Sequence, residues 1–217
     1  MKKALILIIA CICLLQINGL SQKTEVGITG GVTSSNIYGQ ISGGDRRGDS
    51  RVGYTLGMII DAPIGKTLWS FQPGIHYVQK GAFTSKTSTT SVADALRYAE
   101  FQLNFIHYTK GANTRMYFGL GPAIALNLPS KTVTENGSTK SNQSITFGKE
   151  SSSKYRGVDY GANALIGVRF KKGIIFSVNY TFGIRNLIPV PSGDDHLRNG
   201  CLGVRLGYIF KNTPAKK

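Results

Sequence analysis

The stretch IIFSVNYTFGIR (residues 174–185) decides the fold class of this chain. Its residues alternate between two sets, so one face of an extended chain is apolar and the opposite face is mostly polar. The apolar set is Ile174, Phe176, Val178, Tyr180, Phe182 and Ile184. This period of two predicts a β-strand with one apolar face, and a helix-period pattern fits the stretch less well.

The same alternation recurs in other parts of the chain. The further stretches lie near 24–34, 52–61, 68–80, 97–108, 115–126, 159–170 and 201–210. Together they predict eight strands of about ten residues, the length that crosses a membrane at a tilt. We therefore predict an all-β fold, an eight-stranded antiparallel up-and-down transmembrane β-barrel.

The connections between these strands alternate in length. Long connections rich in Ser, Thr, Asn, Gly and Asp span 35–51, 81–96, 127–157 and 186–197, whereas short ones span 62–67, 109–114 and 171–173. Outer-membrane barrels have long loops at their outer end and tight turns at the periplasmic end. We therefore expect periplasmic termini, and we expect the longest connection, which has few apolar residues, to be exposed and mobile.

The N-terminus predicts export from the cytoplasm. A basic start, Met1-Lys2-Lys3, precedes an apolar run that ends at Leu15, and small residues lead to a cleavage site after Ser21. This run is too short to cross a bilayer and is typical of a signal peptide. We predict a Sec-type signal peptide over residues 1–21 and a barrel domain over residues 22–217. Cys201 then remains alone, which excludes an internal disulfide and a cysteine-based zinc site.

The strand faces opposite the apolar ones are predicted to line the lumen, because they combine charge with many glycines that suit a crowded interior. Their charged and titratable members are Asp61, His76, Glu100, Asp159, Arg169, Arg185 and Arg205. Lys171-Lys172-Gly173 predicts a three-residue hairpin loop with glycine at the left-handed position. The register that pairs Phe170 with Ile174 also places Asp159 opposite Arg185, so we expect an ion pair inside the barrel.

Several segments together resemble the PorT-like outer-membrane β-barrel family of Gram-negative bacteria. They are GITGGVTSSN (27–36), FQPGIHYVQKGA (71–82), YAEFQLNFIHY (98–108), YFGLGPAIAL (117–126), DYGANALIGVRF (159–170) and SVNYTFGIRNL (177–187). The resemblance implies a small barrel in the cell outer membrane. Because that family is defined by its barrel, the resemblance bears on location more than on role.

The charge balance and the scarcity of catalytic motifs limit the classes of function and of partner that the sequence supports. The chain has 26 Lys and Arg against 11 Asp and Glu, a formal net charge of +15. These bases lie near both ends of the strands without the interleaved aromatics of a nucleic-acid groove. We therefore expect outer-membrane lipids and lipopolysaccharide as partners, with possible envelope or secretion proteins and no nucleic acid. Nothing in the sequence indicates a cofactor or a metal.

We interpret the chain as a non-enzymatic integral outer-membrane barrel with a filled lumen and long surface loops. Its role would be envelope structure, surface interaction or support of secretion. One alternative is a soluble periplasmic lipocalin-like barrel whose apolar faces point inward around a small apolar ligand. A less favoured alternative is a small lipid-modifying hydrolase that uses Asp194-Asp195-His196 in the last long connection.

Overall fold

The computed structural model describes residues 24–211, and every regular element in this range is a β-strand. The predicted signal peptide (1–21) and the last six residues lie outside the described range. The strands are β1 (Glu25–Ile41), β2 (Gly44–Arg47), β3 (Asp49–Pro63), β4 (Trp69–Lys86), β5 (Thr90–Tyr108), β6 (Thr114–Asn136), β7 (Thr139–Ser144), β8 (Val158–Phe170), β9 (Ile174–Gly183) and β10 (His196–Phe210). None of the described residues forms a helix that is long and apolar enough to cross a membrane.

Eight of these strands close into an antiparallel ring. Each pairs with its neighbour in the order β1, β3, β4, β5, β6, β8, β9 and β10, and β10 pairs back with β1. The short strands β2 and β7 only extend one end of β1 and β6. The predicted all-β, up-and-down barrel of eight strands is therefore confirmed.

Tight turns gather at one end of the ring, which we call the turn end; the opposite end is the loop end. The hairpin between β8 and β9 has the predicted register, since Arg169 pairs with Ile175. Gly173 has a φ of +99°, and its N–H donates to the Phe170 carbonyl at 2.9 Å. That φ favours glycine, as the sequence predicts.

At the loop end, several strands run further than the sequence predicts. Strands β4 and β5 pair as far as Lys86 and Ser91, and β5 and β6 pair as far as Thr90 and Asn136. The prediction of long connections over 81–96 and over the first part of 127–157 was therefore wrong. These segments are rich in Thr as well as Ser, and β-branched Thr fits a pleated sheet.

The apolar faces of the ring point outward. This outer surface, which we call the belt, includes Ile28, Val32, Leu56, Met58, Ile75, Phe118, Leu120, Ile166, Phe176, Val204 and Leu206. Leu120, near the middle of the part of β6 that pairs with β8, is 67% exposed. A soluble barrel that carries an apolar ligand needs these faces inside, so the lipocalin-like alternative is not supported.

Candidate functional sites in the lumen and at the loop end

The lumen is filled with polar and charged side chains. The structure buries six of the seven predicted lumen residues, none of them more than 7% exposed: Asp61, His76, Glu100, Asp159, Arg169 and Arg205. The seventh, Arg185, is partly exposed. Along each strand, residues thus alternate between the apolar outer surface and the polar interior, an arrangement typical of membrane barrels.

A network of hydrogen bonds crosses the middle of the lumen. Lys80 Nζ lies 2.5 Å from Glu100 Oε2, and Gln102 Nε2 donates to Glu100 Oε1 at 2.6 Å. From the far side of the ring, Arg205 Nη1 donates to Gln102 Oε1 at 3.1 Å and lies 3.4 Å from His76 Nε2. Because β10 is not adjacent to β4 or β5, these contacts span the interior of the ring.

Lys80 was missed at the sequence level, although its position carried the necessary pattern. It continues the inward face of β4 at the same spacing as Gln72 and His76. At 2% exposure it is the buried cation that neutralises Glu100. Lys80 lies an even number of residues from His76, a predicted lumen residue, so the same alternation predicts that Lys80 faces the lumen.

Glycines make room for the large lumen side chains. A Cβ at Gly57 would lie 2.2 Å from His76 Cδ2, and a Cβ at Gly167 would lie 2.4 Å from Tyr117 Cζ. Such distances are far below van der Waals contact, so both rings occupy space that only glycine leaves free. The sequence prediction that glycines suit a crowded lumen therefore holds at these two pairs, Gly57 with His76 and Gly167 with Tyr117.

A second polar cluster closes the lumen at the turn end. The Asp61 carboxylate accepts hydrogen bonds from Ser70 Oγ, from Tyr108 at 2.7 Å and from Arg169 Nη1 at 2.8 Å. Arg169 also pairs through Nη2 with Glu25 at the start of β1. Charge-assisted bonds of this kind are stronger than neutral ones and hold five strands together at this end.

Between the two clusters, amide side chains bridge the ring. Asn163 Nδ2 donates to Asn104 Oδ1 at 2.9 Å, while Asn163 Oδ1 accepts from Asn179 at 3.1 Å and from Thr181 at 3.2 Å. All four residues are buried. Thr181 Oγ1 also donates to Glu100 Oε1 at 3.5 Å, so these amides join the central network, while two small apolar clusters around Ile175 and Ile106 lie nearer the turn end.

The predicted Asp159–Arg185 ion pair is not formed. Asp159 Oδ2 accepts a hydrogen bond from Asn199 at 2.9 Å, and the Arg185 guanidinium lies over the Tyr160 ring at 5.2 Å. The reason is a change in the backbone after Gly183, where β9 ends: the N–H groups of Ile184 and Arg185 both donate to the Tyr160 carbonyl. This double contact breaks the alternation and moves Arg185 to the side of outward-facing Tyr160.

Beyond the ring, the segments 36–51, 82–96, 127–157 and 184–199 form what we call the cap. Its interior is an apolar cluster that contains Ile37, Ala82, Leu96, Ile145, Tyr155, Leu187 and Leu197, with Tyr98 and Ala125 beneath. The buried residues Ile145 and Tyr155 belong to the longest connection, whereas β7 in the same connection is exposed throughout. The predicted exposure of this connection therefore holds for β7 and fails for its apolar anchors.

A buried carboxylate ties the longest connection to the barrel wall. Asp94 on β5 is fully buried and accepts hydrogen bonds from Thr132 at 2.6 Å, Lys154 at 2.6 Å and Tyr155 at 2.7 Å. Burial, followed by the charge of Asp94, raises the pKa of Tyr155 well above its ordinary value. The phenol thus remains a donor, which keeps the contact intact over the physiological pH range.

The Asp194-Asp195-His196 segment is used within the cap. Asp195 Oδ1 accepts the N–H of Ser42 at 2.7 Å, and His196 Nδ1 lies 3.0 Å from the Asp194 carbonyl. These contacts join the last connection to the tip of the β1–β2 hairpin. Within residues 24–211, no group of three His, Cys, Asp or Glu side chains is placed to hold a metal ion.

Aromatic residues on the outer surface gather in two zones. Near the turn end, Trp69 stacks on His107 at 4.7 Å between ring centroids, and His107 on Phe118 at 5.2 Å. Nearer the loop end, Tyr54 and Tyr77 lie 5.5 Å apart. Paired zones of aromatics around an apolar surface are typical of the two interfaces of a membrane protein.

The sequence matches the family described as "Outer membrane protein beta-barrel domain" over residues 20–189. A search of curated proteins found no match.

Among solved structures, the chain is similar to Ail, the attachment invasion locus protein of Yersinia pestis, at 12% identity and a TM-score of 0.44; the match covers 87% of this chain and 100% of Ail. It is also similar to Neisserial surface protein A, at 12% identity and a TM-score of 0.44, with 85% of this chain and 97% of that one covered. The family match spans most of the chain, and the protein therefore belongs to the outer membrane protein β-barrel domain family.

Proposed function

We propose that this protein is a non-enzymatic integral outer-membrane barrel that passes no solute through its lumen and works through its cap. The observation that carries the proposal is the polar network that joins Arg205, Gln102, Glu100 and Lys80 across the ring. A lumen filled in this way leaves no continuous water path. The cap is then the part of the molecule free to contact other components.

Membrane insertion is supported by the belt, which would be an aggregation hazard on a soluble protein. The test is electrophoresis of the membrane fraction with and without heating. We expect a band that is extracted only by detergent and that migrates faster when unheated. Recovery of the folded protein from the soluble periplasm would contradict the proposal.

The closed lumen is testable by recording from purified protein in a planar lipid bilayer. We expect no steady conductance above that of the lipid, because buried charge pairs fill the cross-section. A stable open channel in the wild-type chain would contradict the proposal. The replacement Arg205→Ala, which removes the residue that reaches across from β10, is expected to introduce conductance events.

For the orientation, we propose that the cap faces the cell exterior and the turn end faces the periplasm. Long structured connections at one end and tight turns at the other support it. A membrane-impermeant maleimide added to intact cells should label Lys140→Cys on β7 and leave Lys172→Cys in the β8–β9 turn unlabelled. The reverse pattern would invert the topology.

The partners that we propose are outer-membrane lipids and the phosphates of lipopolysaccharide, with envelope or secretion proteins as further candidates. Basic side chains on the cap support this, because they are attracted to an anionic surface: Arg46, Arg47, Lys86, Lys131, Lys140, Lys149, Lys154, Arg156 and Arg198. The motifs shared with PorT-like barrels support membership of that narrower group. A hydrolase is disfavoured, since Asp195 and His196 serve contacts within the cap.

A further inference from the structure

The cap contains a pocket of about 440 Å³ between the β1–β2–β3 side and the ends of β4 and β5. Its inner wall is apolar and includes Ile37, Ala82 and Leu197, each at most 9% exposed. Ligand pockets in proteins commonly range from about 300 to 1,000 Å³, so this one suits a small molecule. We call it the mouth pocket.

The rim of the mouth pocket is cationic. Arg46, Arg47 and Lys86 line it and are exposed, and no carboxylate of residues 24–211 lies within ion-pair distance of them. The fourth base, Lys154, is already paired with buried Asp94. Asp49 is the other carboxylate of the lining besides Asp94, so four basic side chains stand against two acidic ones, and this excess of positive charge favours an anionic ligand.

The walls of the mouth pocket are held in place before any ligand arrives. The Gly48 N–H donates to the Ile37 carbonyl at 2.9 Å, and a Cβ at Gly48 would lie 2.7 Å from that of Ala82. The β2–β3 connection therefore packs directly on β4, and no larger residue fits there. On the opposite wall, Asp94 fixes Lys154 and Tyr155.

This packing also fixes the position of the segment Arg47-Gly48-Asp49. It lies in the wall of the pocket, where Asp49 pairs with Phe83 of β4. The free tip of this region is further along the β1–β2 hairpin, where Ser42 and Gly43 have positive φ. Arg47 of this segment therefore lies at the pocket rim.

We propose that the mouth pocket binds a phosphate monoester attached to a small apolar body. The exposed bases Arg46, Arg47 and Lys86 on the rim supply N–H donors for phosphate oxygens, and the apolar wall of Ile37, Ala82 and Leu197 accepts the remainder of the ligand. The phosphate can belong to a soluble compound or to a lipid headgroup of the outer leaflet. This inference rests on the proposed function, because the ligand reaches the mouth pocket from the cell exterior, where we propose that the cap lies.

The test is titration calorimetry with the full chain in lipid nanodiscs, with empty nanodiscs as the reference. The probes are 1-naphthyl phosphate, 1-naphthol and inorganic phosphate, and dihexanoyl phosphatidic acid represents the lipid source. We expect saturable binding of 1-naphthyl phosphate, with 1-naphthol and inorganic phosphate each much weaker. Competition by dihexanoyl phosphatidic acid supports the lipid source, and its absence supports the soluble source.

The variant Arg46→Gln/Arg47→Gln should weaken binding by about ten- to a hundredfold, as expected for the loss of charge-assisted contacts. The matched control Lys171→Gln/Lys172→Gln removes the same charge from two adjacent exposed positions at the turn end, outside the pocket, and should leave affinity unchanged. Equal weakening in both double variants, or no saturable binding by any probe, would overturn the proposal. The heat-dependent mobility shift of each variant shows separately whether the barrel is intact.

Discussion

The ring and the cap are patterned in opposite ways. In the ring, apolar side chains face outward and a hydrogen-bonded polar network occupies most of the interior, beside two small apolar clusters around Ile175 and Ile106 near the turn end. In the cap an apolar cluster lies inside and polar residues face out. Two Lys–Glu pairs show the contrast. Lys80–Glu100 in the lumen is 2% and 1% exposed at 2.5 Å, and Lys140–Glu135 in the cap is 60% and 49% exposed at 2.6 Å.

The comparison shows that the same chain buries mainly polar side chains in the ring and apolar side chains in the cap, because the surroundings of the two regions differ. Against hydrocarbon, outward apolar groups cost nothing, so the hydrophobic effect cannot drive the interior of the ring together. Polar side chains occupy most of that interior, and many of them hydrogen-bond to one another. In water the cap needs an ordinary apolar core. The same short ion pair should therefore contribute very differently to stability in the two regions.

The largest effect is expected for Glu100→Ala. Removal of this carboxylate leaves Lys80 buried and unpaired, at a cost of about 3–5 kcal/mol. Urea unfolding in lipid vesicles, followed by the fluorescence of Trp69, measures the loss. The double variant Lys80→Met/Glu100→Leu should recover much of it, since it removes both charges. Wild-type stability in Glu100→Ala would mean that the pair does not hold the lumen together.

The next effect concerns the belt. Leu120→Arg places a charge near the middle of the outer surface, where a bilayer penalises it by about 2–4 kcal/mol. The same unfolding measurement applies. Val190→Arg, at an apolar cap residue with 58% exposure, is the control and should cost less. Equal costs at the two positions would contradict the distinction between lipid-facing and water-facing surfaces.

A smaller effect is expected for Tyr155→Phe, which removes one donor to buried Asp94. The loss is about 1–2 kcal/mol, because an anionic acceptor loses one partner and keeps two. Hydrogen exchange should show faster opening of the Lys154 and Tyr155 amides without change in the ring. Tyr208→Phe, at an outer surface position of β10, is the control. Faster exchange in the ring as well would mean that cap and ring unfold together.

The smallest effect is expected for Glu135→Ala, the cap counterpart of Glu100→Ala. Its ion pair with Lys140 is exposed, so solvent screening leaves a contribution of less than about 1 kcal/mol. Unfolding curves of Glu135→Ala and wild type should nearly coincide. A loss as large as that of Glu100→Ala would remove burial as the explanation for the contrast.

Period-two alternation was enough to predict the ring from the sequence. It assigned the faces of β8, β9 and β10 and the β8–β9 register, because a strand buried on one side cannot slip by one residue without exposing the wrong set. It also placed Glu100 and Arg205 in the interior. The alternation assigned Arg185 to the wrong face, because the backbone contact that ends β9 is not encoded in the alternation of apolar and polar residues.

The cap was harder to predict for a physical reason. Of its apolar residues, Ile145 and Tyr155 come from one connection and Leu187 and Leu197 from another, and the two pairs meet only in the folded protein. No local period links them. Thr-rich segments were interpreted as loops because their polarity hides their preference for strands. The Asp94 contacts join residues about sixty positions apart, a distance that local patterns do not encode.

The central claim, that the belt faces lipid and the cap faces water, is tested most directly by spin labels at Leu120→Cys and Lys140→Cys, each combined with Cys201→Ser. Power-saturation spectra in vesicles compare collisions with oxygen, which concentrates in the bilayer, and with a water-soluble nickel chelate. The account predicts that the label at position 120 collides with oxygen and is shielded from nickel, and that the label at position 140 shows the reverse. Nickel accessibility at position 120 equal to that at position 140 would contradict it.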